Sequence, residues 1–270
     1  MRQVNVKHNQ SLDRSAQILN CFSIDSQFLS IDTISDLTKL PRATVYRLLY
    51  SLERHGLVYY HPNDGTYSLG IKMLEYGGIV LERFNIRQVA SPYLNSLHQN
   101  TGCTVLMAVL ESDRLVYIDK KESDPKKTYT ARIGGMRDPH RGVLGKTLMA
   151  FLDDDKIDEL LNLFPLKKYT DKSIVDPELL KNKLRKIKAC GYGIDMDETI
   201  MGISGVAFPI RNKWNQIIAA VAVIGPNEDL QPLSRIVEQV SQCAFQSSEE
   251  LGAPTTGPIT FREDDWKQFF

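Results

Sequence analysis

Little in this sequence points to metal, disulfide or membrane chemistry. Its 270 residues hold four cysteines, Cys21, Cys103, Cys190 and Cys243, with no CxxC or HxxxH pairing nearby. That scatter argues against a structural zinc site and for a reducing cytoplasm. No apolar run reaches the roughly 18 residues of a membrane span. The opening MRQVNVKHNQ lacks the apolar core of a secretory signal. Nor is there an overall charge surplus: 33 Lys and Arg balance 33 Asp and Glu. On its face that speaks against a nucleic-acid partner, but charge acts locally.

What is present is ordinary globular composition, 42% hydrophobic and 24% charged, over a length that suits two domains. Residues 11–22 repeat apolar positions at helical spacing (Leu12, Ala16, Ile18, Leu19, Phe22), with Ser11 as N-cap. Residues 30–38 repeat the signal more briefly behind Ser30. In LPRATVYRLLYSLERHG, residues 40–56, Pro41 suits the first helical position and Gly56 the C-terminal cap. Val45, Leu48, Leu49 and Leu52 form its apolar stripe. LVYY (57–60) and TYSL (66–69) are β-rich runs around Asp64-Gly65, a tight-turn signal. Helix, helix, turn, helix and hairpin in that order predict a winged helix-turn-helix.

The far side of the third helix carries Ala43, Arg47, Tyr50 and Arg54, and Lys39, Arg42, Arg47 and Arg54 face a single acid, Glu53. A near-neutral chain therefore concentrates positive charge on one helix. Such a helix enters the major groove with its N-terminal residues at base edges. Arg42, Ala43, Thr44 and Arg47 are the candidates there, with Tyr46 and Ser51 on phosphates and Thr66 in the wing. So few cationic contacts bind duplex DNA weakly at physiological salt, which favours a homodimer or homotetramer on paired half-sites. The competing reading is a ligand-sensing interaction protein whose winged helix contacts protein.

SLDRSAQILNCF, PRATVYRLLYSLERHGLVYY and GTYSLGIKMLEYG resemble the DNA-binding domain of the IclR family of bacterial transcriptional regulators. The likeness continues through GYGIDMDETIMGISGVAFPI and IIAAVAVIGP. It implies a winged helix over 8–70, a linker helix over 71–85, and a GAF-like α+β effector-binding domain over 86–252, followed by a tail at 253–270. It also implies a double-stranded DNA operator and a small carboxylate effector. The aromatic ending with Trp266, Phe269 and Phe270 is similar to regulators of sugar-acid (2-keto-3-deoxygluconate) catabolism, so the effector expected is a sugar acid or keto acid.

Read from its residues, the second half shows strand-like runs at 103–110, 114–119, 128–133, 203–211 and 216–224. Helical segments fall at 143–152, 154–164, 177–190 and 229–251, the mixture of an α+β domain with an antiparallel sheet. Gly145-Lys146-Thr147 imitates the end of a phosphate-binding loop, but the required first glycine falls on His140. The amides around Gly142–Gly145, opening a helix, suit a carboxylate instead. Carried over from the family, the effector pocket comprises Val143, Leu144, Gly145, Asp195, Ile203, Gly205, Ala222 and Ile224. The sequence departs from the family pattern at Arg137-Asp138-Pro139-His140-Arg141, Gly142, Gly205, Ala222 and Ile224. Neutral hydrogen-bonding groups are lost there, and Arg137 and Arg141 bring charge nearby. No nucleophile elbow, metal cluster or carboxylate pair stands out, so neither an enzyme nor a cofactor is expected.

Overall fold

A computed structural model describes residues 9–82, 84–122, 131–254 and 257–259. The chain divides into two compact units between residues 83 and 84.

The first unit begins with α1 (Gln10–Leu19), capped by Asn9, whose side chain accepts from the amides of Ser11 and Leu12. The cap thus lies two residues ahead of Ser11, and the helix stops at Leu19 rather than Phe22. A two-residue strand β1 (Leu29–Ser30) leads into α2 (Ile31–Thr38), where Ser30 accepts from Thr33 N as expected. Lys39 closes α2 in the left-handed region at φ 58°. α3 (Arg42–Arg54) follows with Pro41 as the N-cap residue rather than the first helical one. The wing is β2 (Val58–His61) against β3 (Thr66–Leu69), antiparallel, with His61 opposite Thr66. β1 adds to the other edge of β3, giving the sheet order β1-β3-β2. The core gathers Ile18, Ile34, Val45, Leu49, Leu52, Val58 and Tyr67. The stripe of α3 and the inner ends of the other two meet at one centre, which fixes which side of α3 remains outside. Leu12, Ala16 and Leu37, read with those stripes, are exposed near the helix ends and outer turns. α4 (Lys72–Glu82) ends the unit with Ile71, Leu74, Ile79 and Val80 exposed on or just before it.

The second unit opens with α5 (Asn85–Thr101), which runs through Pro92 and ends at left-handed Gly102. Next come β4 (Thr104–Glu111), β5 (Arg114–Lys121) and the short β6 (Met136–Arg137). Three helices follow, α6 (Gly142–Met149), α7 (Asp154–Leu163) and α8 (Pro177–Cys190). The chain then forms β7 (Gly193–Met196), β8 (Ile203–Arg211), β9 (Ile217–Pro226) and α9 (Leu233–Glu250). The six strands make one antiparallel sheet in the order β6-β5-β4-β9-β8-β7. Residues 131–133, read as part of a strand, are irregular, and the edge is supplied by β6; 128–130 lie outside the described residues.

Side chains alternate across the sheet as a pleat requires. Val105, Met107 and Val109 join a large cluster with Ile86, Leu94, Val237 and Val240 from α5 and α9. Leu106 and Ala108 belong to a smaller cluster with Val143, Leu144 and Leu148 of α6. On that second face Ala207, Ala220 and Ala222 are fully buried. Methyl side chains there let α6 lie close over the strands. Beyond α9, Ile259 N donates to Ser241 Oγ at 2.6 Å. The aromatic residues Trp266, Phe269 and Phe270 lie outside the described residues.

Candidate functional site

In the first unit the buried stripe of α3 turns Arg42, Ala43, Tyr46, Arg47, Tyr50, Ser51 and Arg54 to solvent, with Thr44 half-buried at their edge. Arg42 Nε contacts Asp32 Oδ1 at 2.8 Å, both side chains largely exposed. Such a surface pair is worth roughly 0–1 kcal/mol, so it is readily exchanged for another anion. Ser51 Oγ donates back to Arg47 O at 3.0 Å, occupying its proton on the helix. The wing is stiffened next to its turn, where the rings of Phe28 and Tyr59 stand edge-on to His61 and His61 Nε2 bonds Ser68 Oγ at 2.9 Å. Thr66 is half-buried and its hydroxyl oxygen is shielded, with no partner among the described residues. Its side chain is directed inward rather than off the tip of the wing.

The second unit contains a cavity of about 50 Å³, opening to about 460 Å³ when the solvent-filled mouth is counted. Arg141, Gly142, Val143 and Leu144 at the start of α6 form one wall. Ile203, Ser204 and Gly205 of β8 and Ile224 of β9 form another. Tyr117, Arg137, Asp195, Thr199 and Ile200 complete it. No side chain among the described residues caps α6, so the positive end of its dipole opens here. Gly205 brings β8 close under α6: a Cβ there would lie 3.0 Å from Val143 Cγ1 and 3.2 Å from Ile224 Cγ1.

The residues expected in a pocket do not all stand in it. Val143, Leu144, Asp195, Ile203, Gly205 and Ile224 line the cavity. Gly145 does not; it is buried against the backbone, where a Cβ would come within 1.9 Å of Pro139 O. Ala222 lies in the closed packing under α6. Tyr117, Thr199, Ile200 and Ser204 join the wall without having been singled out. Thr199, Ile200 and Ser204 lie within the stretch GYGIDMDETIMGISGVAFPI that carries the family likeness, and Tyr117 follows Leu115 by one pleat.

Asp195 reaches the cavity wall, but its carboxylate faces inward. Oδ2 accepts from Lys146 Nζ at 2.9 Å and Oδ1 from Glu198 N at 3.2 Å. Glu198 in turn accepts from both Lys146 and Lys183. Lys146 is only 4% exposed. The lysine of the false phosphate loop is therefore one member of a buried quartet of two ammoniums and two carboxylates. Burial alone would lower Lys146, but Asp195 and Glu198 outweigh it and hold its pKa above the ordinary value. Burial likewise works against ionised Glu198, and the two lysines overcome it, so its carboxyl sits below the usual range. Lys183 is lowered by burial and by repulsion from Lys146.

The arginines stand apart from this neutral group. Arg137 lies over the Tyr117 ring, 5.6 Å from its centroid, and Arg141 over the Tyr169 ring at 4.2 Å. Neither forms an ion pair among the described residues, and Arg141 Nε is buried without a hydrogen-bond partner. Burial raises the Tyr117 hydroxyl, and both arginines pull against that rise. His140 is buried, bonded through Nε2 to Phe164 O at 3.0 Å, and burial lowers its pKa. It has the surroundings of a packed, hydrogen-bonded residue.

Residues 78–249 match the model of the bacterial transcriptional regulator IclR C-terminal domain, and residues 11–62 match the IclR helix-turn-helix domain. Over 247 residues the chain is 32% identical to the HTH-type transcriptional regulator XynR of Escherichia coli K12, covering 91% of this chain and 98% of that one. The regulator KdgR of the same organism is 26% identical over 89% of this chain and 94% of its own. An IclR homologue from Microbacterium hydrocarbonoxydans, solved in complex with 4-hydroxybenzoate, shares the fold with a TM-score of 0.79 at 24% identity, over 90% of this chain and 99% of that one. No helix among the described residues is long and apolar enough to cross a membrane. With a matched DNA-binding unit, a matched effector-binding unit and relatives named as regulators rather than enzymes, this chain belongs to the IclR family of bacterial transcriptional regulators.

Proposed function

We propose that α3 reads operator DNA and that the cavity beneath α6 binds a small organic acid, a sugar acid or keto acid, that alters operator affinity. Arg42, Thr44 and Arg47 contact base edges or phosphates at the start of α3, and Tyr46 and the segment around Ser51 meet the backbone. The observation that carries the effector half is the meeting of two arginines, a tyrosine hydroxyl and the uncapped start of α6 at one cavity. That collection suits a carboxylate. The relative's complex with 4-hydroxybenzoate is consistent with an organic acid. A homodimer or homotetramer completes the reading, supported by the exposed apolar residues of α4, whose Gly77 and Gly78 leave open space for a packed neighbour.

To act as a switch, the acid must bind the DNA-competent and DNA-incompetent arrangements unequally. The test is fluorescence anisotropy of purified protein on DNA from its own upstream region, at several salt concentrations, with and without sugar, keto and aromatic acids. Specific binding that one acid shifts is expected. Charge reversal at Arg42 and Arg47 should abolish it. Operator binding that survives both reversals refutes the groove reading, and an acid that occupies the cavity without changing operator affinity refutes the switch.

A further inference from the structure

We propose that the effector carries two negative charges, held by Arg137 and Arg141 together, and that the cavity rejects singly charged acids of the same shape. This rests on the cavity being the effector site. The argument is a charge balance. Lys146 and Lys183 are matched by Asp195 and Glu198, so the quartet behind the wall is neutral. Asp195 has no charge left for a ligand, since Lys146 already faces it. What remains in the wall is Arg137 and Arg141, with no carboxylate on either among the described residues.

The two side chains act on one place. Each is close enough to the Tyr117 hydroxyl to bear on its ionisation, and Tyr117 itself lines the cavity. The start of α6 adds a further partial positive charge on the same side. Stacking on Tyr117 and Tyr169 holds the two guanidinium planes without neutralising them. The buried, unpartnered Nε of Arg141 is the most telling atom. A shielded N–H without an acceptor is costly, and a ligand oxygen relieves it. A monoanion leaves one guanidinium uncompensated in a confined space, whereas a dianion matches both. Val143, Leu144, Ile203 and Ile224 provide the apolar remainder of the site. Its small size limits the ligand to a short skeleton. Two ligand classes carry that charge, a dicarboxylate or a lone phosphate monoester, whose single group holds about −1.5 to −2 at neutral pH.

The experiment is isothermal titration of the full chain with matched acids: gluconate, glucarate and glucose 6-phosphate, then benzoate, terephthalate and phenyl phosphate. Within a series the dianion, or the phosphate, should bind roughly tenfold or more tightly than the monoanion, the effect of one additional charge-assisted contact. Preference for glucarate and terephthalate over the phosphates assigns a dicarboxylate, and the reverse a phosphate monoester. Arg137→Gln and Arg141→Gln should each erase that preference while Arg137→Lys keeps part of it, with the melting transition of each variant reporting whether it is folded. If Arg141→Gln fails to fold, Arg137→Gln and Arg137→Lys still decide. Equal affinity for the members of a series overturns the proposal, as does a dianion preference that survives in Arg137→Gln. If no acid binds while operator binding is intact, the effector reading itself falls, and this inference with it.

Discussion

Replacing Lys146 with methionine tests the buried quartet directly. The side chain keeps most of its length and loses the ammonium, leaving Asp195 and Glu198 to share Lys183 in a region shielded from water. Removing one partner from a buried ionic group costs about 3–5 kcal/mol, because the remaining charge keeps its desolvation penalty and loses its compensation. Against a total stability of about 5–15 kcal/mol, that is a large fraction. In a domain of this size it corresponds to a fall in melting temperature of about 6–20 °C. Urea and thermal unfolding followed by circular dichroism measure it. Glu198→Gln should destabilise as well, because Lys183 then loses its carboxylate. The double variant is the sharper test: it removes one charge of each sign and should be roughly 1–3 kcal/mol more stable than the sum of the two single effects. If Lys146→Met costs less than about 1 kcal/mol, or the two changes add, the quartet is not an interdependent charged group and the reasoning fails.

Three shorter expectations follow from the same geometry. The Glu198 carboxyl is held below its ordinary value in the folded chain, so its contribution is complete above the unfolded value of 4.5 and is lost as pH falls through the folded one. Acid titration of stability should therefore be shallower below that point in Glu198→Gln than in the wild type. Gly145→Ala places a Cβ against the Pro139 carbonyl and should cost about 1–3 kcal/mol or more by calorimetry, with the cavity's acid selectivity unchanged where the protein still folds. Arg47→Glu should leave the melting temperature within about 1 °C, since the residue is exposed, while lowering the salt dependence of operator binding by about one phosphate contact.

The winged helix was legible because its signals are local and repeated. Val45, Leu49 and Leu52 recur at helical spacing, Ser30 caps where a cap is needed, and Asp64-Gly65 turns the hairpin. The errors in that unit are small and have causes. Asn9 and Ser11 are both good caps, and periodicity does not choose between them. β1 is two residues long, too short to show alternation. The second unit was harder. β6 is as brief as β1, and β7 lies in a glycine-containing segment whose pairing is decided by β8 rather than by its own residues. Residues 131–133 read as strand until Gly134-Gly135 turns the chain. Most of the cavity wall came from the family resemblance, not from residue patterns. Lys146 shows why: its carboxylate partners lie 49 and 52 residues further on, and no spacing rule relates them. In sequence the same lysine resembles only the end of a phosphate loop that His140 leaves incomplete.

The alanines beneath α6 have a consequence for how regulators of this kind diverge. Ala207, Ala220 and Ala222 set the height of that helix above the sheet, yet none of them reaches the cavity surface. A methyl group added at any one would raise α6 and deepen the space under its first turn. Arg137 would stay where β6 holds it, while Arg141, the N-cap residue of α6, would ride with the helix. Ligand size and ligand charge are therefore inherited on separate positions, and a descendant of this protein could change the length of the acid it senses without surrendering the means of recognising an acid at all.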